Sequence, residues 1–443
     1  MAQYTIPHPG APQKRSTTRQ RIRVNGWRGE DRTTRCLQMA RDEEVPMSRR
    51  EFEKFVPLTS MAASMPSGLL HATEKLLASG PEVRVTLAGV SRGATDDELS
   101  AAVRQAAESA TDFSWLSRGD AVLIKPVVNS GNPYPATTNP AGVKAMIMLL
   151  KERGAKRVVI SDMSGIEYVK LSPEKLRGST REMMRSCGVA RAALEAGAEL
   201  YFPEEEGWGA FFEESPISGS HWKAGILIPK VLREMDHVIL LPRCSRHALA
   251  GATLGMKAAV GYWRTDSRLE YHHDAATFQE KTAEANTVAS LRNKLRLTLT
   301  VADKVQATFG PNKGYVVTPS SGLIFASESL LAHDMISLAW LLESRNMVPE
   351  DHRKGRQDPY TCQLIVNIGN RWVVKLLGGL LKAARSETLV RNDLKTIWDD
   401  RVLRRAFQLF GGIPWLKLIE ANSGVPTELK RRLAEKTTKP NQA

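Results

Sequence analysis

Between residues 121 and 162 the spacing of apolar positions changes twice. Residues 121–124 and 157–160 are short aliphatic runs rich in β-branched side chains. The intervening 141–151 repeats its apolar positions at helical spacing, and Gly154 stops the helix. This pattern predicts strand, loop, helix, strand, and therefore a parallel pair joined by a crossover helix. The first strand runs out at Lys125-Pro126 and the second at Ser161-Asp162. Open parallel sheets bind ligands outside the carboxyl ends of their strands, so Lys125 and Asp162 are candidates for one shared site.

The same alternation of periods continues along the chain. Residues 83–87 predict a strand, and the capping box Thr95-Asp96-Asp97-Glu98 opens a helix through about Ala110. Residues 173–196 are helical in pattern. Residues 237–241 predict a buried strand ended by Pro242, and Arg243, Arg246 and His247 come directly after it. A small-residue helix then leads to Lys257, with Gly251, Gly255 and Gly261 allowing close packing. Residues 297–302 predict a strand ending at Asp303, and 323–326 a strand ending at Ser327-Glu328, with a helix carrying Asp334 and Trp340 behind it. Repeated polar strand exits point to a composite site. The fold class expected is α/β: a mostly parallel sheet with helices on both faces over residues 81–345. A helical C-terminal region occupies 346–443, with packing helices at 361–384 and 390–419.

Composition refines this outline. With 42% hydrophobic and 25% charged residues, the 443-residue chain has the make-up of a globular protein. No apolar run approaches the roughly 20 residues that span a bilayer. The net charge of +14 is concentrated at the two ends. Basic residues are not interleaved with aromatics as in a nucleic-acid groove, which argues against a nucleic-acid partner. Residues 1–46 lack apolar periodicity and read as a disordered basic tail or as sequence upstream of a start at Met47. Residues 47–80 resemble a twin-arginine export signal, with Arg49-Arg50, Phe52 and a moderately apolar stretch behind them. On that reading the protein is exported to the periplasm, and otherwise it is cytoplasmic. Cys36, Cys187, Cys244 and Cys362 are far apart, so the chain is expected to hold no iron–sulfur cluster of its own.

Three ordered blocks between about residues 83 and 345 resemble the proteins that carry domain of unknown function 362. The first is Lys125-Pro126, Asn129, Thr137-Thr138-Asn139-Pro140, Gly154-Ala155 and Asp162. The second is Pro242-Arg243, His247, Gly251, Thr253-Leu254 and Lys257-Ala258. The third is Asp303, Gly310-Pro311, Gly314 and Ala332-His333-Asp334. The chain departs from the family pattern at Asn139, Arg243 and Ala258, where the family has His, Lys and Asn. The resemblance implies an α/β fold, a twin-arginine start and an iron–sulfur redox partner, since members are fused to or encoded near ferredoxin-like modules. It implies no particular activity.

Lys125, Asp162, His247 and Lys257 are the candidate catalytic residues, and Asn129, Thr137, Thr138, Arg243 and Arg246 the candidate ligand contacts. Arg offers a planar fork to carboxylate or phosphate, and Lys a point charge. The hydroxyls of Thr137 and Thr138 precede the helix that starts at Pro140, whose N-terminus also favours anions. Lys257 becomes a general acid or a Schiff-base amine if burial lowers its pKa. Asp303 and Asp334 are candidate oxygen ligands for a divalent metal. The expected partner is therefore a small anionic ligand, carboxylate or phosphate, on which the protein acts as an enzyme. The alternative is an exported accessory protein that works beside an iron–sulfur partner without catalysis.

Overall fold

The computed structural model describes residues 79–354, 358 and 362–440. The tail over 1–46 and the signal-like segment up to residue 78 lie outside the described residues.

Eight strands form the main sheet: β1 (Ser79–Ser91), β2 (Ala121–Pro126), β3 (Arg157–Ser161), β4 (Glu199–Tyr201), β5 (His237–Leu241), β6 (Leu295–Ala302), β7 (Ser321–Ser327) and β8 (Ile413–Glu420). Their order across the sheet is β8-β1-β7-β6-β5-β2-β3-β4. The run from β6 to β4 is parallel throughout. β7 is antiparallel to both β6 and β1, while β8 is parallel to β1. Seven strands thus share one direction and β7 alone is reversed. The fold is the α/β, mostly parallel arrangement that the alternation of periods predicts.

The helices that frame the sheet and the site include α1 (Asp96–Ala110), α2 (Pro140–Glu152), α3 (Gly255–Ala258), α4 (Thr265–His273), α5 (Leu330–Asn346), α6 (Gln363–Gly378), α7 (Arg401–Leu409) and α8 (Thr427–Thr437). α1 begins with the predicted capping box: Thr95 Oγ1 accepts from Glu98 N at 3.2 Å, and Glu98 Oε2 accepts from Thr95 N at 2.7 Å. Asn139 caps α2 by accepting from Gly142 N at 3.0 Å, and Pro140 occupies the first helical turn, where a missing N–H is harmless. Gly154, at φ +108, turns the chain into β3.

Successive strand residues face opposite sides of the sheet. Val122, Ile124, Val158 and Ile160 pack with Leu99 and Val103 of α1 and Val143 and Ile147 of α2. Leu123, Val159, Leu240 and Phe325 belong to the opposite core, with Met335 and Leu338 of α5. Lys125 comes next after Leu123 in this alternation, so it emerges on the α5 side at the carboxyl edge of the sheet. β2 leads outward to β3 and β4, whereas β5 and β6 lie on its other side. The strand order therefore reverses between β2 and β5, which is where open α/β sheets bind ligands.

Two expectations need correction. The exit of β7 at Ser327-Glu328 lies at the opposite edge from the other exits, because β7 runs the other way. The stretch 390–419 is not continuously helical: Gly411 and Gly412, both at positive φ, end α7, and Ile413–Glu420 forms the edge strand β8. Among the described residues no helix is long and apolar enough to cross a membrane.

Candidate functional site

The exits of β2 and β3 meet. Lys125 Nζ lies 2.9 Å from Asp162 Oδ1, and both side chains are almost wholly buried. Asp162 also accepts from Val128 N at 2.6 Å and from Met163 N at 2.9 Å. Lys125 donates to Pro126 O at 2.7 Å and lies over the Tyr262 ring. Gly261 packs directly against the pair. A Cβ there would overlap Asp162 Oδ1 and stand 2.5 Å from Lys125 Nζ. Burial lowers the Lys125 pKa, and the attraction of Asp162 opposes that shift. The pair is internally satisfied.

It forms one side of a cavity of about 900 Å³ that opens at the switch point between β2 and β5. Three further cations that are buried or half-buried border it, Arg243 just beyond β5, Lys257 on α3 and Arg268 on α4, and the exposed Lys313 borders it as well. Arg243 is 1% exposed. Its Nη1 donates to the carbonyls of Pro311 (2.9 Å), Pro135 (3.4 Å) and Ala136. Its Nε and Nη2 are buried without a partner. Arg268 donates to Ser164 O at 2.6 Å and Met163 O at 2.7 Å, leaving Nε unpartnered. Burial lowers the Arg243 pKa to about 9 and that of Arg268 to about 10.

Lys257 is half-buried, and its amine makes no hydrogen bond or ion pair among the described residues. Burial, with Arg243, Arg268 and Lys125 nearby, lowers its pKa to about 7. Asp334 fixes the element that carries it, accepting from Gly255 N and Met256 N at 2.8 Å each. Asp334 thus caps α3 and does not border the cavity.

Two histidines complete the rim. His247 Nδ1 accepts from Leu249 N at 3.1 Å and Ala250 N at 3.2 Å, which leaves its proton on Nε2. Burial pushes its pKa well below the usual histidine value. His272 Nδ1 donates to Asn370 Oδ1 at 2.8 Å, and Asn370 Nδ2 donates back to His272 O. Its Nε2 is therefore an acceptor, and burial holds the ring neutral with a pKa of about 3.

The structure brings Lys125, Asn129, Asp162, Arg243, His247 and Lys257 to one cavity. Asn129 donates to Asn312 Oδ1 at 2.6 Å and keeps a buried, unpartnered Oδ1. The remaining sequence candidates lie elsewhere. Thr137 donates to Asn132 O, and Thr138 donates to Leu241 O and accepts from Val127 N, so both hydroxyls brace the loop. Arg246 donates to Gly251 O and borders a separate cavity with Arg345 and Arg391. Asp303 accepts from Tyr134 Oη at 2.7 Å. The metal expectation for Asp303 and Asp334 finds no support in this arrangement, because each already serves a neighbour. Among the described residues no three His, Cys, Asp or Glu side chains converge as a metal site would require. Cys244 donates to Ser337 O, and burial raises its thiol pKa, so it is a packing residue.

Arg268 carries no sequence signal that singles it out, and His272 stands out only within the run His272-His273-Asp274, whose adjacent histidines point in different directions. They sit in Thr265–His273, a helix without a strong apolar stripe, and reach the site only through the path of the chain.

Comparison with curated proteins gives no match. Among solved structures, the lactate racemase apoprotein from Thermoanaerobacterium thermosaccharolyticum is similar at 16% identity and a TM-score of 0.33. That similarity covers 60% of this chain and 56% of the other, so it spans little over half of that chain. The strand order, and not this likeness, carries the fold assignment. Residues 122–339 match the family described as Domain of unknown function (DUF362), a span that contains Lys125, Asp162, Arg243, Lys257 and Arg268, and this match supports assigning that span to the DUF362 family.

Proposed function

We propose that the protein binds a small, multiply charged anion, a carboxylate or a phosphate, at the switch point between β2 and β5, and that Lys257 transfers a proton to or from it. One observation carries this reading: Arg243 Nε and Nη2 are buried donors without partners at a cavity wall. Leaving charged donors unsatisfied is costly in the absence of a ligand, and two adjacent guanidinium N–H groups match the spacing of a carboxylate or phosphate edge. The charge balance supports it. Lys125, Arg243, Lys257 and Arg268 border the cavity as buried or half-buried cations, and Asp162, already paired with Lys125, is the carboxylate buried among them, while Lys313 and Glu167 border it as exposed groups of opposite charge.

Lys257 suits proton transfer because an amine with a pKa of about 7 is present in both forms near neutral pH. An arriving anion favours the protonated form. A bound substrate would thus draw a proton onto the amine, ready to be delivered. His247, neutral with its proton on Nε2, is a hydrogen-bond donor in this scheme and not a base.

Isothermal titration with inorganic phosphate, succinate and malonate tests the reading. Binding to the full chain is expected, with a loss of at least about tenfold in Arg243→Met and in Lys257→Met. If none of these anions binds, or if both variants bind them as the parent does, the anion reading is wrong.

A further inference from the structure

The cavity is far larger than the anion its floor calls for. Its volume of about 900 Å³ lies in the range of sites that take extended organic ligands. Its lining is also mixed in chemistry. The cations crowd the strand exits, whereas α6 contributes Trp372, Val373 and Leu377, with Phe309 and Leu249 also bordering the space.

That helix is anchored to the site. Asn370 of α6 exchanges two hydrogen bonds with His272 of α4, and Lys170 Nζ donates to Leu376 O at 2.5 Å. The helix is therefore held at a fixed distance from the cation floor. Trp372 is half-buried on the cavity side, and its indole has no ring partner and no hydrogen bond among the described residues. Several other tryptophans among the described residues are engaged. Trp222 and Trp263 pack edge to face with one another, and Trp340 donates to Ala302 O. A large aromatic surface left open toward the same cavity as unsatisfied guanidinium donors describes two halves of one ligand.

We infer that the ligand is an amphipathic anion, with its carboxylate or phosphate head at Arg243 and Lys257 and a planar aromatic body lying against Trp372. This rests on the proposed anion site and extends it to a substrate class. Stacking a ring on an open indole removes apolar area from water on both partners and adds a specific aromatic contact.

The test uses the full chain and four probes: inorganic phosphate, phenyl phosphate, 1-naphthyl phosphate and the neutral 1-naphthalenemethanol. Affinity is expected to rise by at least about tenfold from inorganic phosphate to 1-naphthyl phosphate, with phenyl phosphate between them. The neutral alcohol is expected to bind at least about tenfold more weakly than 1-naphthyl phosphate. Trp372→Ala should erase the aromatic preference while leaving inorganic phosphate affinity within about twofold, and Trp372→Phe should retain most of the preference. Equal affinity for the three phosphates overturns this inference and leaves the anion reading standing. A preference that survives Trp372→Ala in a folded variant also overturns it, as does tight binding of the neutral alcohol. If no phosphate binds, the anion reading itself falls.

Discussion

Replacing Lys257 by methionine keeps the length of the side chain and removes its charge, and the surroundings of the amine set the expected effect. The amine is half-buried, makes no hydrogen bond or ion pair among the described residues, and sits near Arg243, Arg268 and Lys125. Its pKa falls from 10.5 to about 7. Between those two values the unfolded chain holds a proton that the folded protein has released. Stability from this group therefore rises with pH across the window from about 7 to 10.5, and the charged form penalises the fold below it. Between pH 6 and pH 9 the parent should gain roughly 2–3 kcal/mol from Lys257 alone. Water in the cavity screens a half-buried amine, so that figure is an upper bound.

Urea denaturation at pH 6 and at pH 9, on the parent and on Lys257→Met, reads the difference directly. Groups remote from Lys257 cancel in the comparison, and His247 and His272 are held neutral chiefly by burial, which the variant keeps, with the Lys257 charge a smaller contribution. Lys257→Met is expected to be more stable than the parent at pH 6, with the gap narrowing by about 1–3 kcal/mol at pH 9. A second readout needs no denaturant. An anion that pairs with Lys257 raises its pKa, so binding at pH 8 should take up close to one proton. Calorimetry in two buffers of different ionisation enthalpy detects this, and Lys257→Met should abolish it. Parallel stability curves for parent and variant, with no proton taken up on binding, would refute the claim that the cation cluster starves this amine of its proton.

The buried pair and the N-terminal arginines give three more tests. Gly261→Ala places a methyl group against Asp162 Oδ1 and Lys125 Nζ and should cost about 3 kcal/mol by denaturation, with a loss below about 0.5 kcal/mol arguing that the pair is not held there. Asp162→Ala strands Lys125 in a buried setting and removes the acceptor of Val128 N and Met163 N, for an expected loss of about 3–5 kcal/mol. The double variant Lys125→Met with Asp162→Asn should recover more than half of that loss. Cell fractionation of Arg49→Lys with Arg50→Lys tests the export expectation, which calls for the protein to remain in the cytoplasm, and an unchanged distribution would reject the twin-arginine reading.

The sheet was legible where periodicity is local. Residues 121–124, 141–151 and 157–160 match Ala121–Pro126, Pro140–Glu152 and Arg157–Ser161 to within a few residues, because buried strands and an amphipathic helix each impose a spacing on their own segment. Direction is a different matter. Nothing inside 323–326 says that its strand runs against its neighbours, so its polar exit looked equivalent to the others. The edge strand Ile413–Glu420 was hidden by a related ambiguity. Its exposed face carries Trp415 and Lys417, and apolar residues paired with basic ones also fit a helix surface. The Gly411-Gly412 break was the available signal for the change of element.

Strand-exit reasoning also cannot separate a side chain that faces a ligand from one that serves the backbone, and the candidate set divides along that line. Thr137, Thr138, Asp303 and Asp334 each satisfy a named backbone or hydroxyl partner. Arg243 differs because its loop carbonyls engage Nη1 alone, leaving two buried donors over. Lys125 and Asp162, the pair marked first by the strand exits, satisfy each other. Their service to the site is to hold a neutralised, buried floor beside groups that are not neutralised. The centre of the chemistry therefore moves from the closed Lys125–Asp162 pair to Arg243 and Lys257, where donors outnumber acceptors and an anion supplies what the fold does not.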